Sequence, residues 1–540
     1  MNRRNFLQLA ALSGAQFLVA SPALAAMFGP STAAAAQLRG KAFELEEATI
    51  AQLQSAMKSG KETAVSLVKK YLRRIEEIDR RGPTLRAVIE VNPDALAIAR
   101  ALDHERKTKG PRGPMHGIPV LIKDNIDTHD RIMTTAGSLA LLGSIAPRDS
   151  FVAQKLREAG AVILGKTNLS EWANFRGDHS TSGWSGRGGQ TKNPYALDRN
   201  PSGSSSGSAV AVSANLCAVA IGTETDGSLI SPAAVCGIVT LKPTVGLISR
   251  SGIIPISKSQ DTAGPMARTV TDAAILLGAL AGVDPRDEAT ESSREKLHQD
   301  YTQFLDANGL SGARIGVARR FFRSAGISAK LLEDALAAMK RLGAVLIDPA
   351  DDPALGRVGD AEGTVLHYEF KAGLNDYLAA LGPGAPVHTL QDVIEFNERN
   401  KDKELRYFGQ EELVRSQEKG LLTDKTYLDA LERCRRMSRA EGIDAVMEKN
   451  QLDAIVAPAG GPPGETDLVY GDRGVGGSSS PAAVAGYPNI TVPAGDILRL
   501  PVGISFFGRA WSEPVLLKIA FAFEQGTKAR KPPKFRPTID

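Results

Sequence analysis

The sequence predicts an α/β fold, in which one β-sheet is covered by helices on both faces. Short apolar runs typical of buried strands occur at residues 118–122 (Ile-Pro-Val-Leu-Ile) and 161–164 (Ala-Val-Ile-Leu). A helical pattern over residues 149–159, which Gly160 can cap, lies between them. Helices that alternate with short apolar strands are typical of a sheet that is buried on both faces.

The remaining elements continue this alternation along the chain. Apolar residues at helical spacing between about residues 43 and 72 predict amphipathic helices before the first strand. Further strands are predicted at 313–317, 344–348, 452–457 and 489–493, with a charged helical excursion at about 390–450. No internal repeat or long low-complexity linker interrupts the chain, so one large domain over residues 43–540 is expected.

The composition is that of an ordinary globular protein. Of 540 residues, 42% are hydrophobic and 23% are charged, and the net charge is +4. So small a charge over this length gives no reason to expect nucleic acid as a partner. The three cysteines and seven histidines lack metal-ligand spacing, so neither a disulfide framework nor a metal or other cofactor is predicted. Cys217 and Cys236, in apolar stretches, are expected to be buried thiols.

Residues 1–25 have the pattern of a targeting segment. The paired Arg3 and Arg4 before Phe-Leu resemble a twin-arginine export signal, and an apolar run over 10–20 leads to the small-x-small site at 23–25. A membrane anchor is the alternative, but the run is short and rich in Ala, Ser and Gly. The sequence therefore predicts an exported protein, periplasmic or secreted, whose mature form does not contact a membrane.

Residues 160–167 (Gly-Ala-Val-Ile-Leu-Gly-Lys-Thr) match the P-loop pattern letter for letter. A P-loop needs a strand before its first glycine and a flexible loop between the two glycines. Here a predicted helix precedes Gly160, and the intervening residues themselves have the pattern of a strand. We therefore predict no phosphate site at this segment.

Residues 203–207 (Gly-Ser-Ser-Ser-Gly) match the nucleophile elbow of α/β-hydrolases. An elbow needs an apolar strand that runs into the first glycine, whereas residues 195–202 have the composition of a loop. The elbow interpretation is weak but stays open. The serine-rich run continues into an apolar stretch of small residues at 210–220, predicted to be a buried helix, and a second Gly-Ser turn follows at 227–228. Because a linker would not enclose a buried helix, these segments are interpreted as one compact unit.

Taken in order, these segments resemble the amidase signature family. The family pattern is a lysine after an apolar strand, a Gly-Gly-Ser-Ser-Gly-Gly loop and a Gly-Thr-Asp-x-Gly-Gly-Ser-Ile-Arg-x-Pro segment. The matching residues, which extend over essentially the whole chain after residue 43, are 117–125, 134–138, 165–168, 201–209, 221–234, 261–267 and 486–493. The resemblance implies a single α/β domain with a central twisted mixed β-sheet, and hydrolysis of amide bonds.

The resemblance also implies a role for each matching site residue. Ser228 corresponds to the nucleophile, Ser204 to a bridging serine that follows a cis peptide bond, and Lys123 to the general base. The oxyanion hole would consist of the backbone N–H groups of Thr225, Asp226, Gly227 and Ser228. A serine needs a base, and lysine can serve only if burial lowers its pKa from about 10.4. Neutral Lys123 would then take a proton from Ser204, which would take one from Ser228.

Three positions near the nucleophile depart from the family pattern, namely Glu224 for Asp, Asp226 for Gly and Ile230 for Arg. These departures leave the triad intact, but they weaken the transfer of substrate preference from the broad family. The segments that resemble bacterial peptide amidase rather than the family at large are 171–177, 182–185, 252–257 and 510–514. That resemblance implies cleavage of the C-terminal amide of peptides to a carboxylate and ammonia.

Other functions stay open at this point. One is a general acyl or aliphatic amidase, and another is a catalytically silent binding protein on the same fold, against which the intact Lys123, Ser204 and Ser228 argue. A subunit of a tRNA-dependent amidotransferase fits poorly, because an exported protein would not meet charged tRNA.

Overall fold

The computed structural model describes residues 43–351, 354, 358–473 and 476–539, so the predicted targeting segment lies outside the described residues. The strands are β1 (Val88–Val91), β2 (Pro119–Lys123), β3 (Val162–Thr167), β4 (Trp184–Ser185), β5 (Gly189–Gln190), β6 (Val219–Glu224), β7 (Val239–Lys242), β8 (Thr262–Ala267), β9 (Arg314–Val317), β10 (Val345–Ile347), β11 (Ala454–Gly460), β12 (Asn489–Ile497) and β13 (Leu500–Phe507). The helices before residue 350 are α1 (Ile50–Lys58), α2 (Ala64–Arg74), α3 (Ala95–Lys109), α4 (Phe151–Glu158), α5 (Ser206–Ser213), α6 (Ile230–Val235), α7 (Val270–Leu280), α8 (Arg319–Phe322) and α9 (Ala329–Arg341). The later helices are α10 (Gly359–Ala380), α11 (Leu390–Arg399), α12 (Lys401–Glu404), α13 (Glu411–Gln417), α14 (Lys425–Ser438), α15 (Asp444–Asn450), α16 (Ser480–Ala485) and α17 (Glu513–Thr527).

The described strands build one mixed sheet of eleven strands, in the order β1-β3-β2-β6-β8-β7-β12-β13-β11-β9-β10, and β4 pairs separately with β5. Strands β3, β2 and β6 are mutually parallel, as are β11, β9 and β10, whereas the strands between these groups pair antiparallel. Helices α5, α7 and α17 pack against β6, β8 and β12. The predicted α/β fold with a mixed sheet flanked by helices is confirmed.

Every strand that the sequence predicts is present, with its ends shifted by at most four residues. The P-loop match provides no phosphate site, because Val162–Thr167 is the strand β3, in which every residue is buried. Within the described ranges no helix has the length and apolar character needed to cross a membrane. Cys217, Cys236 and Cys434 are buried free thiols, as expected for the first two.

The buried helix predicted at 210–220 is wrong in its bounds. The helix is α5, which begins at Ser206 within the serine-rich run and ends at Ser213. Asn215 then adopts a left-handed backbone with φ 58°, a conformation that ends helices. The residues that follow belong to β6 from Val219 onward, where β-branched side chains fit a buried strand. Apolar periodicity alone does not distinguish a buried helix from a buried strand in so short a run.

The helical excursion also begins earlier than residue 390, because α10 precedes it. Helix α10 packs on two sides, with Phe370 and Leu374 in one apolar cluster and Val365 and Tyr368 in another. Its apolar residues therefore do not form the single stripe by which an amphipathic helix is recognised in a sequence.

Candidate active site

Lys123 lies at the carboxyl end of β2, an interior strand that is third from one edge of the large sheet. Because β2 and β6 are parallel, their carboxyl ends lie side by side, which brings Lys123 next to Thr223. The buried Nζ donates to Ser204 Oγ at 2.8 Å, to Ser205 Oγ at 3.1 Å and to Thr223 Oγ1 at 2.8 Å, and it lies 3.3 Å from the carbonyl oxygen of Thr223. All of these acceptors are uncharged oxygens.

Burial of the ammonium lowers the pKa of Lys123 to about 7, although the carboxylates of Asp261 and Glu224 act in the opposite direction. Desolvation dominates because the charged form loses its hydration and gains only uncharged hydrogen-bond partners. A substantial fraction of Lys123 is therefore neutral near pH 7, and the neutral amine is the form that can accept a proton.

Ser204 lies in the loop just before α5. The Gly203–Ser204 peptide bond is cis, as the family resemblance implies. The loop is packed so closely that a Cβ on Gly203 would lie 2.2 Å from Ser170 Oγ. In addition, Ser170 N donates to the carbonyl oxygen of Ser204 at 3.1 Å. These contacts hold the Ser204 hydroxyl against Lys123.

Ser228 lies in the turn between β6 and α6, and 8% of the residue is exposed. Its carbonyl oxygen accepts from Ser205 N at 3.1 Å, which joins the turn to the serine loop. In the described part of the chain its hydroxyl makes no hydrogen bond. The structure thus links Lys123 to Ser204 by a direct hydrogen bond. It links Ser228 to the neighbouring residue Ser205 by a backbone hydrogen bond. Hydrogen bonds to a nucleophile often form fully only when substrate is bound.

The predicted oxyanion residues form a tight turn, here called the oxyanion turn, Thr225–Ser228. Gly227 has a φ of +80°, in the left-handed region that favours glycine. The Glu224 carboxylate accepts from Leu229 N at 2.7 Å and Ile230 N at 3.0 Å, which anchors the turn to α6. Among the residues that the structure describes, none of the four N–H groups of the turn has a hydrogen-bond acceptor. They are available to a ligand oxygen.

A cavity of about 210 Å³ opens beside Thr223 and Thr225, with Ala173 and residues 253–256 among its walls. Asp261 connects this wall to the oxyanion turn. Its Oδ1 accepts from Thr225 Oγ1 at 2.6 Å, and its Oδ2 accepts from the backbone N–H groups of residues 256 and 257, each at 2.8 Å. Asp261 therefore joins the wall of the cavity to the oxyanion turn by hydrogen bonds.

The peptide-amidase-like segments divide between cavity and core. Residues 253–256 line the cavity, but Trp172, Trp184 and Trp511 do not. Trp172 is buried in an apolar cluster, Trp184 stacks on the Arg176 guanidinium, and Trp511 N donates to Thr244 Oγ1. Trp172 and Trp184, which mark two of these segments in the sequence, are therefore packing residues.

The serine loop is not a nucleophile elbow. The middle serine of the match, Ser205, is fully buried. Its hydroxyl donates to the carbonyl oxygen of Thr223 at 2.9 Å and accepts from Thr223 N at 3.1 Å. An elbow serine is exposed at the end of a strand, and neither feature is present here.

Sequence reasoning missed Thr223, Ser205 and Asp261, which hold Lys123 and the oxyanion turn in place. Each lies inside a segment that matches the family pattern, so the matched segments could have marked them as candidates. The motif pattern carries no information on which atoms these side chains contact.

The chain is similar to a family model, to other proteins and to solved structures. A family model described as Amidase matches residues 66–517. A probable amidase of Arabidopsis thaliana is 45% identical over 515 residues, which cover 94% of this chain and 95% of the relative. The native peptide amidase from Stenotrophomonas maltophilia is 52% identical, with a TM-score of 0.87 over 91% of this chain and 99% of the other. Peptide amidase in complex with the competitive inhibitor chymostatin has a TM-score of 0.88 at 52% identity and covers 91% and 100% of the two chains.

Proposed function

The chain belongs to the amidase family and is an amidase, and we propose that it hydrolyses the C-terminal carboxamide of peptides. In this proposal Ser228 is the nucleophile, Ser204 relays protons and Lys123 is the general base. The observation that carries these assignments is the 2.8 Å contact between Lys123 Nζ and Ser204 Oγ, made by a lysine that burial keeps partly neutral.

The reaction proceeds through an acyl-enzyme. Neutral Lys123 takes a proton from Ser204, and Ser204 takes one from Ser228, whose oxygen attacks the amide carbon. The N–H groups of the oxyanion turn stabilise the negative oxygen of the tetrahedral intermediate. The C–N bond then breaks as the proton returns through Ser204 to the leaving nitrogen, which departs as ammonia. Water attacks the acyl group by the same proton route and releases the carboxylate.

The uncharged surroundings of Lys123 support its role as a base. A carboxylate paired with Nζ would stabilise the ammonium and keep the lysine charged at neutral pH. Instead Nζ contacts hydroxyl groups of Ser204, Ser205 and Thr223, which bind the neutral amine as well. Ser205 and Thr223 also keep the amine in the direction of Ser204.

The substrate proposal rests on the similarity to peptide amidase and on the cavity. The similarity reaches 52% identity over 91% of this chain. The cavity has apolar side chains at Ile253, Ile254 and Ile256 beside the oxyanion turn and can accept the last side chains of a peptide. We infer that a terminal –NH₂ fits the site, whereas a further residue on the leaving nitrogen clashes, so selectivity arises by exclusion.

A substrate panel tests this proposal. We expect ammonia from an N-blocked dipeptide amide, no cleavage of the matching tripeptide acid and weak turnover of a simple aliphatic amide. The measurement is ammonia release by the protein without residues 1–25, with chromatography of the peptide products. Faster turnover of the aliphatic amide would favour a general acyl amidase, and cleavage within the tripeptide acid would contradict the proposal.

We also propose that the enzyme acts outside the cytoplasm, on the basis of Arg3 and Arg4 and the apolar run after them. Replacing both arginines by lysine in the full chain is expected to leave most of the protein in the cytoplasm. Cell fractionation followed by immunoblotting measures the distribution. Export that is unaffected by the double replacement would contradict a twin-arginine route.

A further inference from the structure

One side chain of the helical excursion is connected to the oxyanion turn. Glu362, in the first turn of α10, accepts at Oε1 from Gln260 Nε2 at 3.0 Å. The same amide nitrogen donates to the carbonyl oxygen of Thr225 at 3.3 Å. At the next residue, the Asp226 carboxyl accepts from Ser479 Oγ at 2.6 Å and is hydrogen-bonded to Glu362. Glu362 therefore reaches the turn at two successive residues.

The hydrogen bond between Glu362 and Asp226 requires a proton, since two carboxylates have no donor between them. Two carboxyl groups this close cannot both ionise easily, so the first negative charge holds the second proton in place. Burial and then the charge of Asp226 raise the pKa of Glu362 to about 8. Burial also raises the pKa of Asp226, against the hydrogen bond from Ser479.

The surroundings of the pair allow its proton to exchange with solvent. Glu362 lines a cavity of about 200 Å³ between α8, α10, α14 and α16. Ionisable groups that face the pair from neighbouring elements are Arg320 on α8, Cys434 on α14, Lys242 on β7 and Glu224 on β6. Lys242 favours the ionised form of Asp226, which leaves the shared proton on Glu362.

We propose that Glu362 is a positioning residue for the oxyanion turn, which it holds in an anion-accepting state only while it shares a proton with Asp226. This inference rests on the proposed function of the turn. Loss of the proton places two negative charges beside the N–H groups that must stabilise a developing oxyanion. Repulsion between the two carboxylates also moves Asp226, and with it the backbone of the turn.

The consequence is an alkaline limit to activity that is separate from the acid limit set by Lys123. Activity rises with pH as Lys123 loses its proton and falls as the Asp226–Glu362 pair loses its own. A merely structural role for Glu362 would change stability or the overall rate without removing one limb of the pH profile.

The test is the pH dependence of kcat/KM for Glu362→Gln with an N-blocked dipeptide amide. Glutamine keeps a hydrogen bond to Asp226 and cannot ionise, so the acid limb should stay and the alkaline limb should disappear. One pH unit above its alkaline midpoint the wild type keeps about a tenth of its activity, so the variant should be roughly tenfold more active there. Asp360→Asn, at an exposed position of the same helix, is the matched control and should keep both limbs.

An unchanged alkaline limb in Glu362→Gln would overturn the proposal. Asp226→Asn removes the charge of the other carboxyl group in the pair and should likewise abolish the alkaline limb. It serves as the test if Glu362→Gln does not fold. The rate at which a fluorophosphonate labels Ser228 should follow the same two limbs without needing an amide substrate. Failure to turn over peptide amides, with labelling intact, would contradict the substrate proposal alone, and the labelling profile would still decide the role of Glu362.

Discussion

Ser228→Ala is expected to lower kcat/KM by roughly 10⁴- to 10⁶-fold, because the reaction loses the atom that bonds to the amide carbon. The fold should be unaffected. The hydroxyl of Ser228 makes no hydrogen bond to another described residue, so its removal leaves no buried group without a partner. Ammonia release from a peptide amide measures activity, and circular dichroism with thermal unfolding measures the fold.

Ser213→Ala is the matched control for this prediction, since it removes a buried hydroxyl from α5, away from Lys123. A fluorophosphonate should label the wild type and Ser213→Ala at Ser228 and should fail to label Ser228→Ala. Activity of Ser228→Ala close to that of the wild type, or labelling at another serine, would contradict the assignment. Absence of labelling in the wild type would instead favour a silent binding protein.

Lys123→Ala is expected to lower kcat/KM by roughly 10⁴-fold, because the relay loses its base. Ser204→Ala should be similarly damaging, and the double variant should be little worse than either single variant, since the residues act as one unit. The measurement is kcat/KM for the two single variants and the double variant. Multiplicative losses in the double variant would mean that Lys123 and Ser204 act independently.

Lys123→Arg separates the role of a base from that of a hydrogen-bond donor. Arginine keeps the positive charge and the donors, but it does not lose its proton in proteins. The variant should therefore be as inactive as Lys123→Ala. Substantial activity in Lys123→Arg would show that Lys123 only orients the serines.

The pH profile of the wild type tests the same assignment. Burial lowers the pKa of Lys123 to about 7, and the base works only in its neutral form, so kcat/KM should rise with pH through about 7. The profile should fall only where the Asp226–Glu362 pair ionises. A rise that follows an ordinary lysine, with a midpoint at about pH 10.4, would contradict a buried base.

Much of the fold could be predicted because strands and helices leave local periodic signals. The apolar runs of β2 and β3 are continuous and short, as expected for interior strands of a sheet that is covered on both faces. Prediction failed where periodicity is absent or ambiguous. The bounds of α5 are not predicted correctly because the small residues on all its sides form no apolar stripe, and α10 is not predicted because its apolar residues pack on two sides.

By itself the sequence determined the family resemblance and the α/β class, and it marked one lysine and two serines as candidates, since these depend on short motifs in order along the chain. Only the tertiary structure decided how these residues meet. Lys123 and Ser204 are 81 positions apart. Their contact exists because the parallel strands β2 and β6 bring Lys123 next to Thr223, and the serine loop is hydrogen-bonded to Thr223 through Ser205. The lowered pKa of Lys123 and the tie between Glu362 and Asp226 likewise depend on burial and on through-space contacts. Desolvation and electrostatic interaction act over distances in space, which the local pattern of a sequence does not record.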